Sequence, residues 1–104
     1  MGFSTIEQAL SDLRAGKLIV CIDDPSRENE GDLICAAEFA SAKLVNRMAG
    51  LARGLICLPV AADYAKKLGL PPMSAVNSDN HETAFLVSID HVETTTGISA
   101  AERA

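Results

Sequence analysis

The chain has 104 residues, of which 48% are hydrophobic, 22% charged and only 4% aromatic, and its formal net charge is −5. This length predicts one small globular domain, and the hydrophobic share excludes wholesale disorder. No apolar run approaches the ~20 residues of a membrane span, and no signal peptide is expected. The negative charge argues against a nucleic acid or a membrane as partner.

The three cysteines indicate a reducing compartment. Cys21, Cys35 and Cys57 are odd in number, and no two of them form a CxxC pair. A disulfide framework or a cysteine zinc site is therefore not expected. Each cysteine lies in an apolar stretch, which predicts small buried side chains and a cytoplasmic protein.

The first half of the chain alternates helical and strand-like patterns. A capping-box spacing at Ser4 predicts a helix that ends at Gly16. Apolar runs at 18–22 and 33–37 predict two buried strands with a polar loop between them. Ser41 then precedes a helix whose apolar stripe ends at Gly50.

The second half continues the same alternation. We predict a third strand over 55–58, a helix over 63–68 that is broken at 69–72, and a fourth strand over 84–89. Strands that alternate with helices indicate a layered α/β domain, with a mixed β-sheet between helices.

The last residues show a second capping-box spacing, from Ser99 to Glu102. It predicts a helix, yet only two residues follow, and one turn of helix is not stable by itself. We therefore expect residues 1–104 to be the N-terminal part of a single longer domain, with no internal boundary.

The polar loop carries the strongest chemical signal. Glu28, Glu30 and Asp32 are spaced by two, so in an extended chain they would share one face. Carboxylates in this arrangement suit Mg²⁺, and crowding would raise their pKa values and favour proton transfer. Arg27 offers a bidentate contact to a phosphate or carboxylate, and Gly31 permits close approach of a ligand. The alternative is a solvated acidic turn.

A second cluster of polar residues covers 94–99, where three threonines precede Gly97 and Ser99. Hydroxyl groups and free N–H groups at a helix start favour a bound phosphate. The alternative is a simple serine N-cap. His81 and His91 are candidate proton shuttles or metal ligands, with exposed surface residues as the alternative.

Several segments resemble one known family. The run Arg27-Glu28-Asn29-Glu30-Gly31-Asp32-Leu33, preceded by Asp23-Asp24, is similar to the signature loop of 3,4-dihydroxy-2-butanone 4-phosphate synthase, an enzyme of riboflavin biosynthesis. Later segments resemble the same family in order and spacing: Leu55-Ile56-Cys57, 68–73, 77–85, and 96–100 with Arg103.

The resemblance implies a lyase with an α/β fold that works as a homodimer. It implies that D-ribulose 5-phosphate is converted to 3,4-dihydroxy-2-butanone 4-phosphate and formate, with Mg²⁺ or Mn²⁺ as the metal. In some relatives the synthase is fused to a GTP cyclohydrolase II domain.

The resemblance also implies site residues. Glu28 would be a metal ligand, and Arg27, Glu28 and Asp32 would contact the sugar phosphate. Glu30 and Cys57 would line the catalytic site. Thr96 and Ser99 would hold the phosphate.

Three departures from the family pattern qualify this picture, the first being Pro25-Ser26 in place of a more acidic pair before Arg27. The family's Arg-x-Gly-His-Thr-like segment, which supplies a second metal ligand, lies outside these 104 residues, so we expect no activity from them alone. Glu82 stands where members commonly have Gly. The alternatives are a non-catalytic dimerisation or scaffold module and a metal-dependent sugar-phosphate isomerase.

Overall fold

The computed structural model describes residues 2–104. Its elements, in chain order, are α1 (Ile6–Arg14), β1 (Ile19–Ile22), β2 (Gly31–Ile34), a 3-10 turn (Ala37–Phe39), α2 (Ala42–Ala52), α3 (Ala62–Lys67) and α4 (Ala100–Arg103).

The helices begin near the predicted caps. Thr5, and not Ser4, caps α1, because its hydroxyl oxygen accepts the Gln8 N–H at 3.2 Å. Ser41 caps α2 as predicted, through a bond from the Leu44 N–H. That helix continues past Gly50 and ends where Arg53 adopts a left-handed conformation, with φ of 57°. A glycine inside a helix costs only about 1 kcal/mol, which packing readily offsets.

The two strands form an antiparallel hairpin. Ile19 pairs with Ile34, and Cys21 pairs with Asp32. β2 begins at Gly31 and ends at Ile34, so it is displaced toward the N-terminus relative to the predicted strand 33–37. The chain that follows turns into the 3-10 segment instead of continuing the ladder.

The strands predicted at 55–58 and 84–89 are not formed. Segment 84–89 makes only an isolated bridge, between Leu86 and Pro72, with flanking bonds from Met73 N–H to the Phe85 carbonyl and from Val87 N–H to the Pro71 carbonyl. Prolines supply no backbone N–H, so the pairing cannot extend as a ladder through them. Segment 55–58 has no strand partner within residues 2–104.

Little of the apolar surface is covered within this chain. Among residues 2–104, only Val45 and Ala65 are buried hydrophobic side chains. The accessible surface is 8745 Å², whereas a compact protein of 10.9 kDa would expose about 5,600 Å². The prediction of buried cysteines is wrong for Cys21 and Cys57, which are exposed.

The strands also leave apolar side chains uncovered, because Val20 and Ile22 in β1 are 68% and 52% exposed.

No helix in the part of the chain that the structure describes is long and apolar enough to cross a membrane.

Candidate functional site

The acidic loop, defined here as residues 23–30, joins β1 to β2. It turns over 25–28, where the Arg27 N–H donates to the Asp24 carbonyl at 2.9 Å, and Asn29 then takes a left-handed conformation with φ of 54°. The prediction that Glu28, Glu30 and Asp32 share one extended face is therefore wrong for Glu28, which lies in the turn. Asp32 lies in β2, and Glu30 directly precedes that strand.

The carboxylate of Asp23 organises the loop. Its Oδ1 accepts the Glu30 N–H at 2.9 Å, and its Oδ2 accepts the Glu28 N–H, also at 2.9 Å. The same Oδ2 accepts a bond from the Arg27 guanidinium at 3.1 Å. Because Asp23 directly follows β1, these contacts tie the loop to the hairpin.

The carboxylates that anchor the loop favour the ionised state. Bonds from the Glu30 and Glu28 N–H groups, assisted by Arg27, hold the pKa of Asp23 below its ordinary value. The Ser26 hydroxyl and N–H lower the pKa of Asp24 in the same way. At both aspartates, hydrogen bonding to the charged form outweighs the opposing effect of burial.

Arg27 and Glu28 form a bidentate ion pair. The two guanidinium nitrogens lie 3.0 and 3.2 Å from the two carboxylate oxygens of Glu28. The Glu28 side chain is 27% exposed, compared with 54% for Arg27. Arg27 is thus shared between Glu28 and Asp23, in an arrangement typical of an arginine that binds anionic oxygen.

The donor chemistry of this loop fits Mg²⁺. Mg²⁺ prefers oxygen ligands, keeps several waters and is commonly bound through one or two carboxylates. Glu28 and Glu30 supply such oxygens beside the hairpin. Within residues 2–104, no group of three or more His, Cys, Asp or Glu side chains converges as a closed ligand set. The loop therefore offers carboxylate oxygens to a cation, but the described residues do not form a complete ligand set.

An open depression of about 630 Å³ lies against this loop. The acidic loop and its hairpin supply most of its wall, and Phe3 supplies an apolar side: the lining residues are Phe3, Ile22, Asp23, Asp24, Pro25, Asn29, Glu30 and Gly31. A small polar molecule in this depression would meet the backbone at Gly31, where no side chain intervenes.

The threonine turn, defined here as residues 94–99, leads into α4. Ser99 caps α4 by accepting the Glu102 N–H at 3.2 Å. The Glu102 carboxylate does not return to the Ser99 N–H, as a complete capping box requires; it accepts from the Thr95 N–H at 2.6 Å and from the Thr95 hydroxyl at 2.8 Å. These bonds from Thr95 hold the pKa of Glu102 below its ordinary value.

This arrangement limits the turn as an anion site. The Thr95 N–H already has an anionic partner in Glu102, whereas the side chain of Thr96 is exposed. Gly97 has a φ of 68°, and a Cβ there would overlap the Asp90 carboxylate. The turn packs through α4 against α2, whereas the hydrogen bonds made by Asp23 stay within the acidic loop.

The remaining candidates lie on other segments. Cys57 is exposed between α2 and α3. His81 is exposed, and its backbone N–H donates to the Asp79 carboxylate at 3.0 Å. The Nδ1 of His91 accepts the Glu93 N–H at 3.3 Å, so this ring supports its own loop.

Sequence reasoning missed the roles of the residues that shape these loops. Asp23 was recognised only beside the acidic motif and Glu102 only in a capping-box spacing, and neither pattern indicates their partners, which are five to seven residues away. The signal that the sequence did offer was the position of Asp23 in the chain. An Asp that directly follows a strand and opens an acidic loop is well placed to accept N–H groups from the other side of that loop.

The fold and the site together define an α/β domain with an acidic, cation-compatible hairpin loop. The sequence profile of 3,4-dihydroxy-2-butanone 4-phosphate synthase matches residues 7–104. The chain belongs to the 3,4-dihydroxy-2-butanone 4-phosphate synthase family, a family of lyases in riboflavin biosynthesis.

Individual relatives agree with this assignment. The chain is 54% identical over 102 residues to riboflavin biosynthesis protein RibBA of Bacillus mycoides, covering 98% of this chain and 26% of the relative. It is similar to a crystal structure of 3,4-dihydroxy-2-butanone 4-phosphate synthase with two magnesium ions, at 43% identity and a TM-score of 0.91, covering 97% of this chain and 48% of that one.

A third comparison is the two-domain synthase RibBX from A. baumannii, at 46% identity and a TM-score of 0.85, covering 96% of this chain and 30% of that one. The chain thus spans about a quarter of the RibBA relative and about half of the magnesium-bound synthase. These neighbours confirm the α/β fold class, which the described residues represent by helices and one antiparallel pair of strands.

Proposed function

We propose that the protein carrying this chain converts D-ribulose 5-phosphate to 3,4-dihydroxy-2-butanone 4-phosphate and formate, with Mg²⁺ as its metal. The observation that carries this proposal is the acidic loop, in which Asp23 holds the paired Arg27 and Glu28 beside Glu30. Membership in the synthase family and the likeness to a structure that contains magnesium support it.

We assign roles to the loop residues as follows. Glu28 would supply a carboxylate oxygen to the metal in place of part of its contact with Arg27. Arg27, with Asp32, contacts oxygens of the sugar phosphate. When bound, magnesium polarises the carbonyl group of the substrate. Glu30 lies in the same loop and can accept and return a proton, as the carbon-skeleton rearrangement requires.

The residues proposed to hold the phosphate, and the cysteine proposed to lie beside the substrate, are on segments farther along the chain. Thr96 is proposed to hold the phosphate through its exposed hydroxyl group. Ser99 is proposed to contribute as well, although its hydroxyl also caps α4 by accepting the Glu102 N–H. Cys57 is proposed to lie beside the substrate. Its exposed position between α2 and α3 leaves it accessible to a ligand or to further polypeptide.

The assembly forms a second part of the proposal. Among residues 2–104, nineteen large hydrophobic side chains are exposed, including Val20, Ile22 and Leu51. Exposed apolar surface of this extent favours association. We propose that it is covered by the rest of one synthase domain, of which residues 1–104 are the N-terminal part, and by a second copy in a homodimer. Sedimentation of the polypeptide as its gene encodes it tests this; a monomer contradicts it.

We also propose Mn²⁺ as an alternative metal, a cytoplasmic location, and a fused GTP cyclohydrolase II domain. The share of RibBA that the chain spans is compatible with such a fusion. The reading frame of the gene tests the proposal of a longer synthase domain, because it should contain an Arg-x-Gly-His-Thr-like segment.

The decisive experiment is a formate assay on the polypeptide as its gene encodes it. With D-ribulose 5-phosphate and Mg²⁺, we expect formate release, and we expect Glu28→Gln to lower kcat/KM by about 100-fold or more, because a metal ligand is lost. Glu38→Gln, an exposed acid on the 3-10 turn, is the matched control and should have no effect.

Two outcomes contradict the proposal. An aldose product without formate would indicate a sugar-phosphate isomerase. Absence of activity in the intact, folded protein would favour a non-catalytic module. Residues 1–104 expressed alone should release no formate, because Glu28 by itself does not make a complete metal site.

A further inference from the structure

The acidic loop needs internal ties because it is long for a hairpin connection. Eight residues separate β1 from β2, whereas most hairpin loops have two to five. Two backbone bonds cross parts of it: Asp23 N–H to the Glu30 carbonyl, at 3.4 Å, and Arg27 N–H to the Asp24 carbonyl, at 2.9 Å. The first is long, so side-chain contacts carry much of the loop's order.

The backbone of the loop presents two N–H groups to one point. Asn29 is left-handed, with φ of 54°, and a left-handed residue after a right-handed turn makes neighbouring N–H groups converge on an anion. The anion here is the Asp23 carboxylate, which takes the Glu28 N–H on one oxygen and the Glu30 N–H on the other. Asp23 therefore sets the backbone positions of both glutamates.

Asp23 also orients the arginine. Its Oδ2 accepts from the same guanidinium nitrogen that pairs with Glu28 Oε2, at 3.1 and 3.0 Å respectively. Arg27 is therefore held on two sides, and its side chain remains beside Glu28. Without Asp23, the exposed guanidinium would have Glu28 alone as partner.

We propose that Asp23 is a positioning residue of the synthase site, one that holds the Glu28 and Glu30 backbone and the Arg27 side chain in place for metal and substrate. This inference rests on the proposed function. Asp23 acts through its neighbours: its two oxygens are occupied by three donors of the loop itself.

Asp24 is a matched control in the same loop. It is the adjacent residue, carries the same charge and is also held by hydrogen bonds, but its side chain accepts only from Ser26, through the N–H at 2.8 Å and the hydroxyl. Replacement of either Asp by Asn removes one negative charge beside the site. Only the Asp23 change weakens the contacts that reach Glu28, Glu30 and Arg27.

The test compares Asp23→Asn with Asp24→Asn in the polypeptide as its gene encodes it. Calorimetric titration with Mg²⁺ alone should show an increase of about 10-fold in the dissociation constant for Asp23→Asn, the usual cost of losing a partner that orients a metal ligand. Asp24→Asn should leave it within about twofold. At saturating Mg²⁺, kcat of Asp23→Asn should recover to near the unsubstituted value.

The results that overturn the proposal are distinct. Equal Mg²⁺ affinities in the two variants would show that charge alone matters. A large loss of kcat at saturating Mg²⁺ with unchanged Mg²⁺ affinity would place Asp23 in direct contact with substrate. If Asp23→Asn does not fold, hydrogen exchange in the unsubstituted protein decides: slower exchange at Glu28 and Glu30 than at Asn29 supports the proposal, and uniform fast exchange overturns it.

Failure of this inference is separable from failure of the proposed function. Mg²⁺ titration and hydrogen exchange require no turnover. A protein that shows the expected Asp23 effects but releases no formate would refute the synthase activity alone, and the reverse pattern would refute the positioning role alone.

Discussion

The acidic loop and the loop at 77–83 use the same local device with different residues. In the acidic loop, Asp23 accepts the N–H groups of Glu28 and Glu30, and Asn29 between them is left-handed. The Asp23 carboxylate therefore fills a concave row of N–H groups that would otherwise attract an external anion. The Asp79 carboxylate does the same in the loop at 77–83.

In loop 77–83, the Asp79 carboxylate accepts the N–H groups of His81 and Thr83, and Glu82 between them is left-handed, with φ of 55°. Asn77 supplements this by accepting the Asp79 N–H at 3.0 Å. Asp79 is thus held by close neighbours in the sequence, whereas Asp23 is anchored at the end of β1.

The difference shows how one device serves two purposes. Asp23 directly follows β1, so it ties the acidic loop to the hairpin and fixes the backbone positions of Glu28 and Glu30. Asp79 closes only its own loop. Asparagine also tolerates the left-handed region well, whereas glutamate does not. The acidic loop is therefore the less strained of the two.

The largest expected effect is the loss of folding stability at low pH, because low pH protonates the aspartates that hold both loops. The pKa values of Asp23 and Asp79 are lowered in the folded state, the latter through the Thr83 and His81 N–H groups. Their stabilisation is therefore complete above the ordinary carboxyl pKa of about 4 and is lost as pH falls through the folded-state values.

Thermal unfolding followed from about pH 7 to about pH 2.5 should show a falling Tm at the acid end. Asp23→Asn and Asp79→Asn should each flatten part of this fall. A Tm that rises or stays constant below about pH 4 would contradict the stabilisation of both loops by ionised aspartates.

The second prediction concerns the left-handed position of the threonine turn, where the residue is Gly97. Gly97→Ala should destabilise the fold by about 1–2 kcal/mol for the left-handed backbone and by about 1 kcal/mol more for overlap with Asp90. Gly69→Ala isolates the first cost, because Gly69 has a similar φ of 67° and nothing within 4 Å of the added Cβ.

Denaturant unfolding of the two variants measures the difference. Equal losses would mean that Asp90 moves aside without cost. A further Asp90→Ala change should remove the excess in Gly97→Ala and leave Gly69→Ala unaffected.

The smallest expected effect tests the comparison of the two loops directly. Glu82→Gly should stabilise the protein by about 0.5–1 kcal/mol, because glycine adopts φ of 55° without a Cβ penalty, partly offset by its greater freedom when unfolded. Asn29→Gly should change stability by less than about 0.5 kcal/mol, since asparagine visits this region routinely. Equal effects in a paired Tm comparison would show that Glu82 is not strained.

Local features of the chain were predictable from local spacing. The Ser41 cap, the Ser99 cap and the break after α3 at Gly69 all depend on contacts within about four residues. The same holds for the family motif of the acidic loop, which located the candidate site before any geometry was known. The Glu82 departure from glycine also coincides with a left-handed residue.

Features that depend on distant partners were not predictable in this way. Segment 55–58 has the apolar composition of a strand, yet a strand exists only where another chain segment accepts its hydrogen bonds. The prediction that Glu28 and Glu30 share one face was wrong, because a single left-handed residue, Asn29, redirects the backbone between them.

The amino-acid sequence by itself determined the helix starts, the α/β class and the family, because capping, periodicity and motif order are properties of neighbouring residues. Tertiary structure alone decided that Asp23 holds the acidic loop and that Glu102 turns back to Thr95. A carboxylate accepts whichever N–H groups the fold brings within about 3 Å, and that choice follows from the register of the hairpin and the packing of α4.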